Sequence, residues 1–421
     1  MIETIHLPNN ITLRCCRDTR FKQGCLSFQL VRPMSAGESG KNALLPAVLL
    51  RGTNAHPTLR SITARLDELY GAAVSPLVRR VGDYQTTGLY CGFMDDRFAL
   101  PGDQVLAPML AFLEELLLDS PLENGGFLTS FVESEKRNLI ATIESEKNDK
   151  RAYAMSQLLR TMCRADTFGL PRLGEPDQVA AIDAADLYRH YRNLLRTAPI
   201  EIFYVGSADS ALVEKALEPL LSRLDRCSVA LPAQTGFHPC EGGDQVELLE
   251  VSQGKLCMGF TTPITNRRAE FPAMQVLNTV FGAGMTSKLF QNVREKLSLC
   301  YSVGSGYYGS KGIVVVSAGI DFDKETVTRQ EILRQLDACK AGAISREELT
   351  AAKEALLSSL RSTHDAPGSI EGYYATAALS GLGMTSPEYM AKVEAVTLDQ
   401  VVSAARTLEL HTTYFLKGGS Q

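Results

Sequence analysis

The sequence predicts an α+β protein made of two homologous halves, each with a mainly antiparallel sheet packed against helices. Strand-like and helix-like patterns follow one another in a similar order in both halves. Both halves also close in the same way, on an amphipathic helix, a polar break and an apolar strand that ends at Gly206 or Gly418. The chain of 421 residues is long enough for two such halves, since ordinary domains span about 100–200 residues.

The first half opens with apolar and polar residues alternating in ITLRCC and CLSFQLV, which is typical of strands. Residues 127–161 are predicted to form one long charged helical region, because Leu128, Phe131, Leu139 and Ile143 recur at three- or four-residue multiples. The other predictions for this half are helices at 41–51, 60–70, 104–118, 184–195 and 210–224, and strands at 74–79, 86–93 and 201–206.

The best linker in the chain lies at 226–245, where VALPAQTGFHPCEGGDQ combines proline and glycine with polar residues. It separates a predicted N-terminal domain at 1–225 from a predicted C-terminal domain at 246–421. The second half repeats the order of elements, with strands within 246–261 and 300–320, helices at 268–297, 324–341, 346–361 and 397–407, and a closing strand, TTYFLKG.

Composition excludes several classes of function. The net charge of −5 argues against a nucleic-acid-binding protein that works by bulk charge, because phosphate binding needs a basic surface. No apolar run approaches the ~20 residues that span a bilayer, and the N-terminus lacks the pattern of a signal peptide. The ten cysteines are scattered without C-x-x-C spacing, which fits a reducing compartment. We therefore expect a soluble cytoplasmic protein.

Three familiar motifs are not present. The segment SAGESGKN has Ser35 and Asn42 where a phosphate-binding loop, G-x-x-x-x-G-K-S/T, needs glycine and serine or threonine. The glycine-rich FGAGM at 281–285 lacks the G-x-G-x-x-G spacing of a dinucleotide site. The nucleophile elbow G-x-S-x-G does not occur either.

Residues 281–308, FGAGMTSKLFQNVREKLSLCYSVGSGYY, carry a family resemblance. The order of glycine-rich turn, L-F, R-E-K and Y-S-V resembles the C-terminal-half signature of the M16 metallopeptidases, the pitrilysin and mitochondrial-processing-peptidase type, with Cys300 where alanine is usual. The resemblance implies an M16-like sandwich in each half. The R-G-T and L-D-E-L-Y-G-A segments at 51–53 and 66–72 are most similar to the bacterial inactive member that is associated with modification of elongation factor P.

The first half departs from the family at the zinc site. Family enzymes carry H-x-x-E-H upstream of a G-T pair, two histidines for zinc and a glutamate as general base. Counting back from Thr53 places Ala43, Pro46 and Ala47 at these positions, and none of them can bind metal or abstract a proton. The third ligand position falls on Thr142, or on Glu144 nearby. The resemblance therefore implies a member without its own zinc site or other cofactor.

The second half keeps an Arg and Tyr seven residues apart, Arg294 and Tyr301. In the family this pair reaches into the zinc site of the other half and hydrogen-bonds the substrate carbonyl and the developing oxyanion, which suits a guanidinium and a phenol. On residue types alone, Arg294 could simply end a helix and Tyr301 could start a buried strand.

The resemblance thus implies a non-catalytic subunit of an M16-type zinc peptidase. Its partner would be a subunit that carries H-x-x-E-H and holds the zinc, and its substrate a peptide or unfolded protein segment. The alternative is a peptide- or protein-binding pseudopeptidase, possible as a homodimer, that acts without any proteolytic partner. A self-sufficient hydrolase would need zinc ligands that the sequence does not offer. Neither a nucleic-acid partner nor a membrane span is expected.

Overall fold

A computed structural model describes residues 2–419 of the chain. Over these residues thirteen strands form: β1 (Ile2–Leu7), β2 (Ile11–Arg17), β3 (Gln23–Pro33), β4 (Ala73–Val81), β5 (Tyr84–Met94), β6 (Leu122–Glu123), β7 (Gly126–Phe127), β8 (Ile200–Gly206), β9 (Gly243–Leu249), β10 (Gly254–Thr261), β11 (Ser302–Tyr308), β12 (Ile313–Ile320) and β13 (Glu409–Gly418).

The same residues form fourteen α-helices: α1 (Ser39–Leu49), α2 (Leu59–Glu68), α3 (Leu106–Leu118), α4 (Thr129–Ser145), α5 (Lys150–Met162), α6 (Pro176–Ala180), α7 (Ala184–Thr197), α8 (Ser210–Ser222), α9 (Phe271–Phe281), α10 (Glu325–Lys340), α11 (Arg346–Ser362), α12 (Pro367–Ser380), α13 (Ser386–Ala395) and α14 (Leu398–Arg406). A π-helix, Leu289–Lys296, follows α9.

The two large sheets share one topology. Within residues 2–419, the first sheet has the order β1-β2-β8-β3-β5-β4 and the second has the order β9-β13-β10-β12-β11. In each sheet the first strand of the common pattern runs parallel to the last, β2 with β8 and β9 with β13, while the other neighbours are antiparallel. The predicted α+β class and the repeat of two homologous halves are confirmed. The extra strand β1 distinguishes the first sheet.

The chain forms two compact units that do not coincide with the two halves of the sequence. Unit 1 holds the residues up to Glu144, Pro171–Ala233 and His364–Leu379; unit 2 holds Ser145–Leu170, Gln234–Thr363 and the residues from Ser380 onward. Each unit thus includes a helix from the other half of the sequence, α12 in unit 1 and α5 in unit 2. The domain boundaries at 1–225, 226–245 and 246–421 stay a prediction about the sequence repeat.

In unit 1, α3 shows how the sequence builds the core. Its apolar residues repeat every three or four positions, so one face of the helix is buried against the sheet. The opposing sheet face presents fully buried Leu26, Phe28 and Leu89. This core positions α1, the helix that carries the three positions aligned by sequence with the zinc motif of the family.

Two predicted helices are wrong in their extent. The region 127–161 divides into α4 and α5, because Asp149 leaves the helix and its carboxylate caps α5 by accepting the N–H groups of Arg151 and Ala152. The predicted helix at 268–297 ends at Phe281, since Gly284 adopts a left-handed conformation with φ +131° before the π-helix begins. The helices α6, α12 and α13 and strand β1 were not expected from the sequence.

Candidate functional site

The three positions of the lost zinc motif lie on α1. Ala43 and Pro46 are buried and Ala47 is half-buried, so the helix offers no ligand where the family carries its two histidines. Among residues 2–419, no three His, Cys, Asp or Glu side chains are placed so that they could hold a metal ion. The residues of this region therefore do not fit a zinc ion.

The helix accommodates Pro46, the residue that the sequence aligns with the general base. Pro46 has no N–H, so the carbonyl of Asn42, four residues earlier, loses its helical donor. The hydroxyl of Thr87 donates to this carbonyl oxygen at 2.6 Å. The side chain of Asn42 donates to Gln85 at 2.9 Å and accepts from His190 Nε2 at 2.7 Å. A polar network thus ties α1 to the sheet.

His190 takes part in this network as a neutral imidazole. Burial lowers its pKa, and the cations Lys41 and Arg32 lower it further, although Glu38 acts in the opposite direction. The ring donates from Nε2 to an amide oxygen, which fixes its tautomer. The residue therefore has a structural role.

The Gly52-Thr53 pair, which served as the reference point for counting the motif, lies in a turn that packing and hydrogen bonds explain. A Cβ at Gly52 would lie 2.8 Å from the carbonyl oxygen of Pro57, so a side chain does not fit there. Thr53 N–H donates to the carbonyl of His56 at 2.9 Å, and its hydroxyl bonds to the Glu115 carboxylate. His56 Nδ1 contacts the same carboxylate at 2.7 Å, so the turn is tied to α3.

The two candidates for the third ligand position lie near the end of α4. Both Thr142 and Glu144 are exposed. The Thr142 hydroxyl donates to the carbonyl of Asn138 at 2.8 Å, one turn earlier in the helix. The choice between Thr142 and Glu144 as the equivalent of the third ligand stays a prediction.

Arg294 lies on the π-helix of unit 2. The N–H of Leu297 bonds to the carbonyl of Asn292, five residues earlier, at 3.1 Å. Such wide turns are rare and occur frequently at functional sites. The guanidinium carbon lies 4.6 Å from the ring centre of Phe290, and the side chain is 41% exposed. The ring thus supports the guanidinium from one side, and Nη1 lies 3.6 Å from the exposed carboxylate of Glu295.

Polar contacts fix the π-helix from behind. Lys288 Nζ pairs with both carboxylate oxygens of Glu348, at 2.9 and 3.0 Å. Asn292 donates to Gln335 on α10 at 3.1 Å. The backbone from which Arg294 projects is therefore held on α10 and α11.

The glycines of FGAGM serve the same region. The carbonyl of Gly282 accepts the N–H of Ser305 on β11 at 3.0 Å, and a Cβ at Gly282 would lie 2.5 Å from the Ser305 hydroxyl. The side chains of Ser305 and Leu289 leave no room for a Cβ here, which explains the glycine. The segment positions the π-helix and does not form a phosphate-binding loop.

Tyr301 follows the π-helix after a short reversal of the chain. Ser298 takes a left-handed conformation with φ 48°, and its N–H bonds to the carbonyl of Arg294 at 3.1 Å. Tyr301 is then fixed by its own N–H, which donates to the carbonyl of Gly319 at 2.9 Å. Its side chain is 65% exposed. The interpretation that Tyr301 starts a buried strand is therefore wrong.

The hydroxyl of Tyr301 donates to Asp321 Oδ1 at 3.3 Å. Asp321 also pairs with Lys324 at 2.8 Å, and this partner, followed by the Tyr301 hydroxyl, lowers the pKa of the carboxyl. The phenol of Tyr301 is therefore exposed to solvent, and its hydroxyl makes only one long hydrogen bond.

The guanidinium of Arg294 also affects the thiol of Cys300. Burial raises the pKa of that thiol to about 11, and the positive charge of Arg294 opposes the rise.

The sequence predicts Arg294 and Tyr301 as site residues but does not predict the groups that they contact, Phe290 and Asp321. Phe290 precedes Arg294 by four residues, the spacing at which helical side chains meet, so it could have been found. Asp321 lies 20 residues beyond Tyr301, at the end of β12, and no local pattern indicates it.

Comparisons with known proteins show which proteins the chain resembles. A family model described as the peptidase M16 inactive domain matches residues 181–356. The probable inactive metalloprotease YmfF of Bacillus subtilis is 30% identical over 408 residues, which cover 97% of this chain and 96% of that protein.

Solved structures give the same result for the fold. A conserved protein from Enterococcus faecalis matches with a TM-score of 0.91 and 26% identity, covering 100% of this chain and 99% of the other. A peptidase M16 inactive domain from Pseudomonas fluorescens matches with a TM-score of 0.81 and 16% identity, covering 100% and 98%. Within residues 2–419, no helix is long and apolar enough to cross a membrane.

Proposed function

The chain belongs to the M16 metallopeptidase family, and we propose that it acts as a non-catalytic subunit of an M16-type zinc peptidase. Its partner would carry H-x-x-E-H and supply both the zinc and the general base. This chain would contribute the guanidinium of Arg294 and the phenol of Tyr301 to the substrate. The observation that carries the proposal is the contrast between α1, which has no ligand, and the exposed, oriented donors of unit 2.

The chemistry of the two donors suits a peptide carbonyl. As water attacks, negative charge develops on the carbonyl oxygen, and donors that are already in place stabilise it. Phe290 restricts the guanidinium of Arg294, so less side-chain freedom is lost when a substrate binds. The hydroxyl of Tyr301 can leave Asp321 at little cost, since that hydrogen bond is long and exposed to water.

The first experiment is purification from the native cell without metal-affinity tags. We expect a subunit with H-x-x-E-H to copurify, with zinc bound in that subunit and not in this chain. One zinc per copy of the isolated chain, lost on mutation within α1 or at Glu144, would contradict the lost zinc site. Recovery without such a subunit would contradict the pairing and favour the binding protein without proteolytic partner.

The second experiment tests the donors in the purified pair. Arg294→Ala and Tyr301→Phe should leave assembly intact and lower kcat for peptide cleavage by about 10²–10³, the usual cost of one oxyanion donor. Arg294→Lys should restore little, because a point charge does not reproduce the planar guanidinium.

Two matched variants serve as controls. Tyr307→Phe removes a hydroxyl from β11, the strand that Tyr301 precedes; this hydroxyl donates to the carbonyl of Ile264 at 2.6 Å. Arg361→Ala removes an exposed guanidinium that lies 3.9 Å from Glu394. Both should cleave at the unaltered rate. If Arg294→Ala and Tyr301→Phe also cleave at that rate, the donor role is wrong.

Three finer expectations stay predictions of the sequence. They are the cytoplasmic location, the link to modification of elongation factor P, and the use of a peptide or unfolded protein segment as substrate. Copurification tests the second directly, because the pathway's proteins would accompany the pair.

A further inference from the structure

Two cations lie near each other on the face of the second sheet that contacts α5. Arg151 is the second residue of α5, and its Nε donates to the hydroxyl of Ser317 on β12 at 3.3 Å. Lys255 on β10 donates from its ammonium group to Gln253 Oε1, an atom that lies 2.8 Å from where a Cβ of Gly319 would be. Among the residues that the structure describes, no carboxylate forms an ion pair with either cation.

Glycines keep the space beside these cations free of side chains. Gly319 lies opposite Lys255 on one side and Ser302 on the other, and a Cβ at Gly319 would lie 3.1 Å from the Ser302 hydroxyl oxygen. Gly304 is two residues beyond Ser302, and a Cβ there would lie 3.9 Å from Arg151 Nη2. Two residues of a strand span about 7 Å, a distance over which two long side chains can contact one carboxylate.

The two cations repel each other. Burial lowers the pKa of the Lys255 ammonium group, and the positive charge of Arg151 lowers it further. Asp149 acts in the opposite direction, but its carboxylate caps α5 and accepts the N–H groups of Arg151 and Ala152, both at 3.0 Å. An anion bound by both cations would relieve the repulsion.

We propose that Arg151 and Lys255 bind a carboxylate of a peptide, either an acidic side chain or the C-terminus. The contact of Nε with Ser317 holds the Arg151 side chain in place and leaves its two terminal nitrogens for the ligand. A guanidinium and an ammonium group both form short, strong hydrogen bonds with carboxylate oxygens. The exposed hydroxyl of Ser302 supplies a further donor.

The position of this carboxylate site connects it to the substrate. Ser302 directly follows Tyr301, the donor that is proposed to contact the substrate carbonyl. An extended peptide gains about 3.4 Å per residue, so a carboxylate a few residues from the scissile bond can reach the start of β11. The identification of the bound peptide with the substrate rests on the proposed function, whereas the binding of a carboxylate does not.

The experiment measures fluorescence anisotropy of three rhodamine-labelled decapeptides of alanine, phenylalanine and serine with the isolated full chain. The first peptide has two central glutamates and an amidated C-terminus. The second has glutamines in their place, and the third has these glutamines and a free C-terminal carboxylate. We expect the first or the third to bind about tenfold tighter than the second, and the difference to shrink as salt screens the charges.

Substitutions at the site test the assignment. Lys255→Gln and Arg151→Gln should each remove most of the difference between the peptides, whereas Lys255→Arg should keep it because the charge is retained. Lys417→Gln is the matched control. Lys255 lies opposite Leu416 of β13, so Lys417 projects from the other face of the same sheet, and loss of its charge should leave the difference unchanged.

Equal binding of the three peptides overturns the proposal. A difference that both Lys255→Gln and Arg151→Gln leave intact, or that Lys417→Gln removes equally, also overturns it. Circular dichroism of each variant shows that a loss of binding does not come from unfolding. Because no partner and no cleavage are involved, the lack of a copurifying H-x-x-E-H subunit would contradict the proposed function without changing this result.

Discussion

The helices α5 and α12 each pack on one of the two large sheets and bury apolar side chains there, but only α12 also buries a carboxylate against its sheet. On the second sheet, α5 buries Ala154, Leu158 and Met162, which follow one another every four residues. They pack against apolar side chains of β10, β12 and β13. The docking of α5 therefore rests on apolar burial, a force that tolerates small shifts in position.

On the first sheet, α12 buries a carboxylate in addition to the apolar Ile370 and Leu379. The side chain of Glu371 is fully buried and pairs with both terminal nitrogens of Arg79, at 2.8 and 2.7 Å. It also accepts hydrogen bonds from Ser27 at 2.6 Å and Gln29 at 3.1 Å. Since a buried charge is costly unless fully paired, this arrangement allows one position of the helix and penalises others.

Of the substitutions considered, removal of the Glu371 carboxylate should lower the free energy of unfolding most. Glu371→Ala leaves Arg79, Ser27 and Gln29 without their common acceptor, and we expect a loss of about 4 kcal/mol in the free energy of unfolding. The chain has no tryptophan, so urea unfolding is followed by circular dichroism. Hydrogen exchange should show faster exchange in α12 and not in α5. Equal protection of both helices would contradict the assigned role.

A substitution in the apolar face of α5 should give the second largest loss of free energy of unfolding. Leu158→Ala creates a cavity between α5 and the second sheet and should cost about 3 kcal/mol. Here faster exchange is expected in α5, while α12 keeps its protection. Leu212→Ala, on an exposed position of α8, is the control and should change the free energy of unfolding little.

This difference also explains what the sequence predicted and what it did not. The α+β class and the two-half repeat follow from local patterns along the chain, and Arg294 and Tyr301 stay predictions that rest on a motif of adjacent residues. Helix α5 was included in a predicted helix because its apolar residues repeat at helical spacing. Helix α12 was missed, since its sequence PGSIEGYYATAALS spreads glycine, polar and apolar residues around the helix.

Other features were missed because their causes are distant in sequence. Arg79 meets Glu371 across 292 residues, and Thr87 meets the Asn42 carbonyl across 45. The exchange of α5 and α12 between the units is likewise a tertiary arrangement that no local pattern specifies. The sequence of the π-helix, LFQNVREK, has the composition of an ordinary helix, so its wider turns were not predicted.

Replacing the charged pair as a whole should cost less than breaking it. In Arg79→Met with Glu371→Leu, the two charges are exchanged for apolar side chains, which is often neutral in buried pairs. Ser27 and Gln29 still lose an acceptor, so we expect a net loss of about 2 kcal/mol, half that of Glu371→Ala. A double variant as unstable as Glu371→Ala would show that Ser27 and Gln29, not Arg79, dominate. The double-mutant cycle with Arg79→Met separates these contributions.

The smallest expected effect is a dependence of the α12 contact on pH. His364 begins the segment that unit 1 receives, and burial, followed by the nearby Arg20, lowers its pKa below the usual 6.5. The unfolded chain therefore binds more protons than the folded chain as pH falls below about 6.5, and stability falls with it. His190 acts in the same direction, since burial lowers its pKa too.

His364→Gln separates the two histidines. The variant should lose part of the acid sensitivity of unit 1 between pH 6.5 and 5 and should keep the part that comes from His190. Hydrogen exchange of α12 should accelerate on acidification in the wild-type chain and less so in the variant. The apolar contact of α5 contains no histidine among its core residues, so its protection should depend less on pH over the same range. Equal acid sensitivity of α5 and α12 would mean that protonation weakens the whole fold. The two helices would then not differ in the pH dependence of their hydrogen-exchange protection.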